Sequence, residues 1–341
     1  MKRRTLGVDL GGTKIEAALL DSAGGFAWRR RVPTPRGDYA ATLDAIAGLL
    51  RAAETQTGAP CTAVGVGTPG SETDDGLMRN ANSTCLNGRP LRRDLESLLA
   101  RPVRLANDAN CLALSEAADG AAAGADVVFA VILGTGVGGG LVVHGRLLAG
   151  ANGLAGEWGH NPLPWPDAEE VRNAPTCWCG QRGCIESWLG GPALARDHAT
   201  RFPPADGAAP LDAERIAANA AAGDATCESS LRRYEDRLAR ALASVVNLLD
   251  PDVIVLGGGL SRIDRLYERV PALWQRHAFR AGPARPALRT RLVKSLHGDA
   301  SGVRGAAWLW DEPGAGLSAA THGKQRFAQP EERGSVTGGR G

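Results

Sequence analysis

The chain has 341 residues, enough for two domains at about 150 residues each. Lys and Arg number 39 and Asp and Glu 37, a formal charge of +2, so no global field collects nucleic acid or an anionic membrane. Seven cysteines, three of them within residues 177–184, cannot all pair and do not suit a secreted disulfide scaffold. The composition, 43% hydrophobic and 22% charged, is that of a soluble globular protein with an excess of glycine, 45 in all.

The basic start, Met1 to Arg4, is followed by Asp9, Lys14 and Glu16 where a signal peptide would need an apolar core, so a cytoplasmic protein is expected. Leu6 to Leu10 and Ile15 to Leu20 read as strands around the glycine turn Gly11-Gly12-Thr13-Lys14. Tyr39 to Ala53 has a helical pattern. Ala63 to Gly67 is a short buried strand ending at Thr68-Pro69-Gly70. Val103 to Ala106 is another, running into Asn107-Asp108 and a helix over about 109–118. The opening pattern then returns: strand Phe129 to Leu133, turn Gly134 to Gly140, strand Leu141 to His144, which suggests an internal duplication. That uncharged stretch is too short and too broken by glycine to span a bilayer, which takes about 20 residues. Residues 156–188 are rich in Trp, Pro and Cys, and Ala213 to Leu249 reads as helical. Pro251 to Leu256 is a strong strand closed by Gly257-Gly258-Gly259, which opens a helix. Residues 314–341 read as a disordered tail. Alternating strands and helices predict an α/β fold with ligands at the carboxyl ends of strands.

Four sets of residues there point to chemistry. A Gly/Thr/Lys turn can aim backbone N–H groups at one anion, although a single such turn is equally an ordinary hairpin. The spacing is not that of a P-loop. Three Gly/Thr turns together suit a polyphosphate and the rest of a nucleotide. Asp108 at a strand end can act as a general base or simply N-cap the following helix, and position alone does not choose. Asp9 can orient Mg²⁺ or bond local amides. His160, Cys177, Cys179 and Cys184 supply the nitrogen and sulfur donors of a closed, structural Zn²⁺ site. Cys61, Cys85, Cys111 and Cys227 look like core thiols.

The series Asp9-x-Gly-Gly-Thr-Lys14, Leu133-Gly-Thr-Gly-x-Gly-Gly139, Gly156-Glu-Trp-Gly-His160 and Cys177-x-Cys-Gly-x-x-Gly-Cys-Ile-Glu186 resembles the ROK family of sugar kinases and sugar-responsive repressors, over about residues 5–311. Asn80 to Gly88, Val103 to Cys111 and Asn161 to Trp165 are similar to its bacterial fructokinase branch, of manno(fructo)kinase type, with Cys85 where Trp is usual. The resemblance implies the actin-like ATPase (ribonuclease H-like) fold. Its two duplicated α/β lobes would span 1–118 and 119–313, the second holding the zinc loop, with a final helix able to return to the first and the active site in the cleft. It implies ATP, Mg²⁺ and structural Zn²⁺, with ATP held by Asp9, Gly11, Gly12, Thr13, Lys14, Thr135, Gly136, Gly257, Gly258 and Gly259. Asp108 would be the general base. Gly70, Ser71, Asn82, Asn107, Asp108, Glu157, His160 and Glu186 would hold the sugar, His160 doing so while ligating zinc. The expected reaction is phosphorylation of D-fructose to fructose 6-phosphate, with N-acetylglucosamine, glucose and mannose as alternative acceptors. A homodimer is expected, with no nucleic acid or membrane partner. A ROK repressor is disfavoured, because those carry a helix-turn-helix ahead of the first strand, which here starts at about Thr5.

Overall fold

The computed structural model describes residues 4–81, 83–280 and 286–311. Asn82 and the expected tail lie outside them. Strands β1 (Thr5–Leu10), β2 (Lys14–Leu20) and β3 (Phe26–Pro33) form an antiparallel meander. Helix α1 (Tyr39–Thr57) is N-capped by Asp38 and stops at Gly58, whose φ of 67° is the left-handed conformation glycine tolerates. It returns the chain to β4 (Ala63–Thr68), parallel to β1. A small ribbon of β5 (Ser71–Glu72) and β6 (Met78–Arg79) and helix α2 (Leu91–Leu99) precede β7 (Val103–Asn107), parallel to β4. The sheet order is β3-β2-β1-β4-β7.

Helix α3 (Asp108–Asp119) leads into the second lobe. There β8 (Val127–Leu133), β9 (Val137–Val143) and β10 (Arg146–Leu147) repeat the meander. A helical excursion follows: α4 (Ala168–Arg172), α5 (Glu186–Leu189), α6 (Gly191–Arg201), α7 (Ala213–Ala221) and α8 (Ala225–Leu249). The chain then adds β11 (Val253–Gly257), α9 (Leu266–Trp274), β12 (Arg291–Lys294) and α10 (Ser301–Trp308). The order β10-β9-β8-β11-β12 reproduces the first sheet strand for strand. Two such lobes are the duplicated unit of the actin-like ATPase fold.

Each sheet has its own core, and a third cluster of small residues joins them. It includes Ala106, Ala113, Val128, Ala130, Val255 and Ala306. Helices α3 and α10 meet in this layer, α3 packing on β8 and β9 and α10 on β1 and β4. The crossing is close: a Cβ on Gly305 would collide with the Cys111 carbonyl oxygen. Among the described residues no helix is long and apolar enough to cross a membrane.

Three expectations about elements need correction. Only Gly134, Thr135 and Gly136 form the second turn, while Gly138, Gly139 and Gly140 belong to β9. Their bare backbones admit neighbours: a Cβ on Gly139 would stand 2.6 Å from the Trp158 ring. Gly257-Gly258-Gly259 opens only a 3₁₀ turn, Gly259–Arg262. Residues 213–249 form two helices, because Gly223 turns at φ 96° and the Asp224 side chain caps α8.

Candidate active site

The first turn stands at the carboxyl end of β1, its tip exposed. Gly11 N–H donates to the Lys14 carbonyl at 3.1 Å, and Thr34, just past β3, braces it through its N–H to Thr13 O and its hydroxyl to Gly11 O. The matching turn after β8 is closed by Gly134 N–H to Gly136 O at 3.0 Å and held from outside by Gly191 N–H. Just before the first turn, on β1, the carboxyl of Asp9 is pushed up to about 6 by burial, with Asp108 and Glu16 adding and Lys14 and Arg31 opposing.

Asn107 and Asp108 divide the work at the end of β7. The Asn107 side chain is the N-cap, accepting from Asn110 N–H at 2.7 Å, so capping is not the task of Asp108. Asp108 is the first helical residue and accepts from Ala109 N–H at 2.8 Å. Burial raises its pKa against that bond. Its charge acts on Asp9 of the first lobe and on Glu157 of the second.

Glu157 precedes a 3₁₀ turn, Trp158–His160, anchored by Trp158 Nε1–H to Gly138 O at 3.1 Å. Burial raises the Glu157 pKa, while His160 and Arg79 lower it and Asp108 and Glu186 raise it further. A second carboxylate, Glu186, is tied to the end of the second glycine turn. Glu186 Oε2 accepts from Val137 N–H at 2.9 Å, and Oε1 from Trp178 Nε1–H at 2.6 Å. In the first lobe Gly70 turns at φ 81° beneath the Arg79 backbone, and Ser71 Oγ accepts from Arg79 Nε–H at 3.2 Å.

His160, Cys177, Cys179 and Cys184 bring one ligand atom each to within 4.8 Å of one another. His160 Nδ1 lies 3.6 Å from Cys177 Sγ, and Cys179 Sγ 3.6 Å from Cys184 Sγ. A tetrahedron with Zn–S bonds of about 2.3 Å has edges of about 3.8 Å, so the donors fit that ion. Nδ1 faces the Cys177 thiol, so Nε2 is the ring nitrogen on the opposite side.

Two features carry no motif. A cleft of about 950 Å³ opens beside the second turn, lined by Thr135, Ala213, Ala217, Gly259, Leu260 and Ile263 among others. The helical spacing of alanines along α7 was the available signal. Cys85, expected in the core, is half-buried and lines a cavity of about 250 Å³ with Leu10, Gly12 and Thr34.

The ROK family model matches residues 5–313. The chain belongs to the ROK family. Among its ROK relatives, an N-acetyl-D-glucosamine kinase of Escherichia coli is 41% identical over 309 residues, covering 89% of this chain and 98% of the relative. The ROK hexokinase from Thermus thermophilus superposes with a TM-score of 0.77 at 33% identity, covering 89% and 96%. A ROK glucokinase from Streptomyces griseus, solved with glucose and AMPPNP, gives 0.69 at 30%, covering 89% and 98%. A ROK transcriptional regulator shares the fold at 23% identity and a TM-score of 0.74.

In this ROK chain the electrostatic neighbourhood of Glu157 gathers Asp108, His160 and Glu186, which the sequence names, and Arg79, which it does not. Asn82 falls outside the described residues.

Proposed function

We propose that the protein is an ATP-dependent hexose kinase acting on D-fructose, giving fructose 6-phosphate and ADP. The observation that carries the reading is the position of Asp108, whose charge is felt by Asp9 on the phosphate side and by Glu157 on the acceptor side. In the reaction the acceptor hydroxyl oxygen bonds the γ-phosphorus, the bond to the β-phosphate oxygen breaks, and the hydroxyl proton passes to Asp108. The two glycine turns hold the polyphosphate, with Gly257, Gly258 and Gly259 beside the nucleotide. Its adenosine lies in the cleft against α7. Hard carboxylate oxygen at Asp9 suits Mg²⁺. Gly70, Ser71, Asn82, Asn107, Glu157, His160 and Glu186 bond the sugar hydroxyls. Structural Zn²⁺ on His160 and the three cysteines fixes the loop that carries two of those carboxylates, a role that leaves no open ligand position. The enzyme works in the cytoplasm as a homodimer.

Fructose is supported by the resemblance of residues 80–88 to the fructokinase branch. One observation favours N-acetylglucosamine as a second reading: the 41% identity to a kinase named for it. An ADP-release assay across fructose, N-acetylglucosamine, glucose and mannose ranks them by kcat/KM. Fructose is expected first, and a higher value for N-acetylglucosamine transfers the assignment to it.

A further inference from the structure

Arg79 belongs to no catalytic or metal motif, yet its half-buried side chain touches both lobes. From β6 in the first lobe, Nε–H donates to Ser71 Oγ at 3.2 Å, and Nη2–H donates to the Asn152 carbonyl oxygen at 3.1 Å. Asn152 lies in the second-lobe loop that continues to Glu157. The base of the fork is itself fixed, because a Cβ on Gly70 would collide with the Arg79 carbonyl oxygen. The charge of Arg79 also acts on Glu157. We propose that Arg79 is a positioning residue for the acceptor, a clasp that holds the Glu157 loop of one lobe against the Ser71 ribbon of the other, so that a hexose is gripped from both sides.

The inference rests on the kinase reading. A sugar bound between lobes must hold them together, and a contact already spanning them reduces the ordering that binding demands. The planar fork of Arg serves two acceptors in fixed directions, whereas Lys offers a point charge. The clasp therefore acts on acceptor binding in ground and transition states alike, which appears in KM and not in kcat.

The test uses the full-length enzyme and the hexose that it phosphorylates fastest, with R79A and R79K beside wild type. In R79A the hexose KM should rise about tenfold, with kcat within about threefold and the ATP KM within about twofold. R79K should stay close to R79A. A hexose KM within about twofold of wild type overturns the clasp. So does a parallel rise of both KM values with a lowered Tm, which marks a general structural role. Full rescue by R79K also overturns it, since charge alone would then suffice. A wild-type protein that phosphorylates no hexose removes the kinase reading instead.

Discussion

Burial pushes the Asp9 carboxyl from 3.8 up to about 6, and Asp108 and Glu16 add to the shift. For an acid a folded-state pKa above the unfolded value means that the native protein resists ionisation. Stability is then lost as pH rises from about 4 through about 6. Asp9→Asn removes that penalty, so the variant should melt above wild type at pH 8, match it at pH 4, and lose activity. Equal Tm values at pH 8 would show that no such strain is stored beside the first glycine turn. Asp108 is raised by burial too, a direction that suits a base tuned toward working pH. Sequence position left its role open between base and helix cap. The structure assigns the cap to Asn107, a choice made by which backbone N–H each side chain reaches.

At the scale of elements, residues 156–188 add Trp158, Leu163, Ile185 and Trp188 to the core of the second lobe, and two polar clusters brace them further. One is the His/Cys cluster. The other is Glu170 on α4, buried against Arg237 and Arg240 of α8 at 2.7 and 2.8 Å, with Arg237 stacked 4.5 Å over Trp188. Removing the Zn²⁺ proposed for the His/Cys cluster leaves the buried apolar residues and the Glu170 cluster in place, so the second lobe should remain folded while the His160 and Cys177 segments beside Glu157 and Glu186 loosen. Chelated protein is expected to keep ATP binding, measured by calorimetry, and to lose sugar phosphorylation. Full turnover in metal-free protein would sink the coupling. The His/Cys cluster, both glycine hairpins and the strand ends were legible because spacing and glycine chemistry are local. Other elements were not. β3 carries Arg29, Arg30 and Arg31 along an exposed edge, so it lacks the alternation of a half-buried strand. The glycines at 138–140 read as a turn because turns and close packing call for the same residue. Arg79 was hidden because its partners, Ser71 and a backbone carbonyl at Asn152, are set by the meeting of two lobes.

For the whole molecule, duplication explains why the site lies where it does. Each lobe ends its first strand in a glycine turn, and α3 and α10 join the two sheets through a layer of small side chains. In the proposed site the first lobe contributes Ser71 and Arg79 to the acceptor side, the second Glu157, His160 and Glu186, with Asp108 at the junction. A hexose and ATP meet in productive geometry only when both lobes engage, which makes turnover the property that integrates every part. The most direct measurement is therefore hexose-dependent ADP release by the purified protein and by Asp108→Asn, with the sugar phosphate identified by mass and hexose binding measured separately. Wild type should form one sugar phosphate per ADP, and the variant should bind hexose comparably while turning over about 10²–10⁴-fold more slowly. Wild-type protein that releases no ADP with any of the four hexoses, or a variant with unchanged kcat, would contradict it.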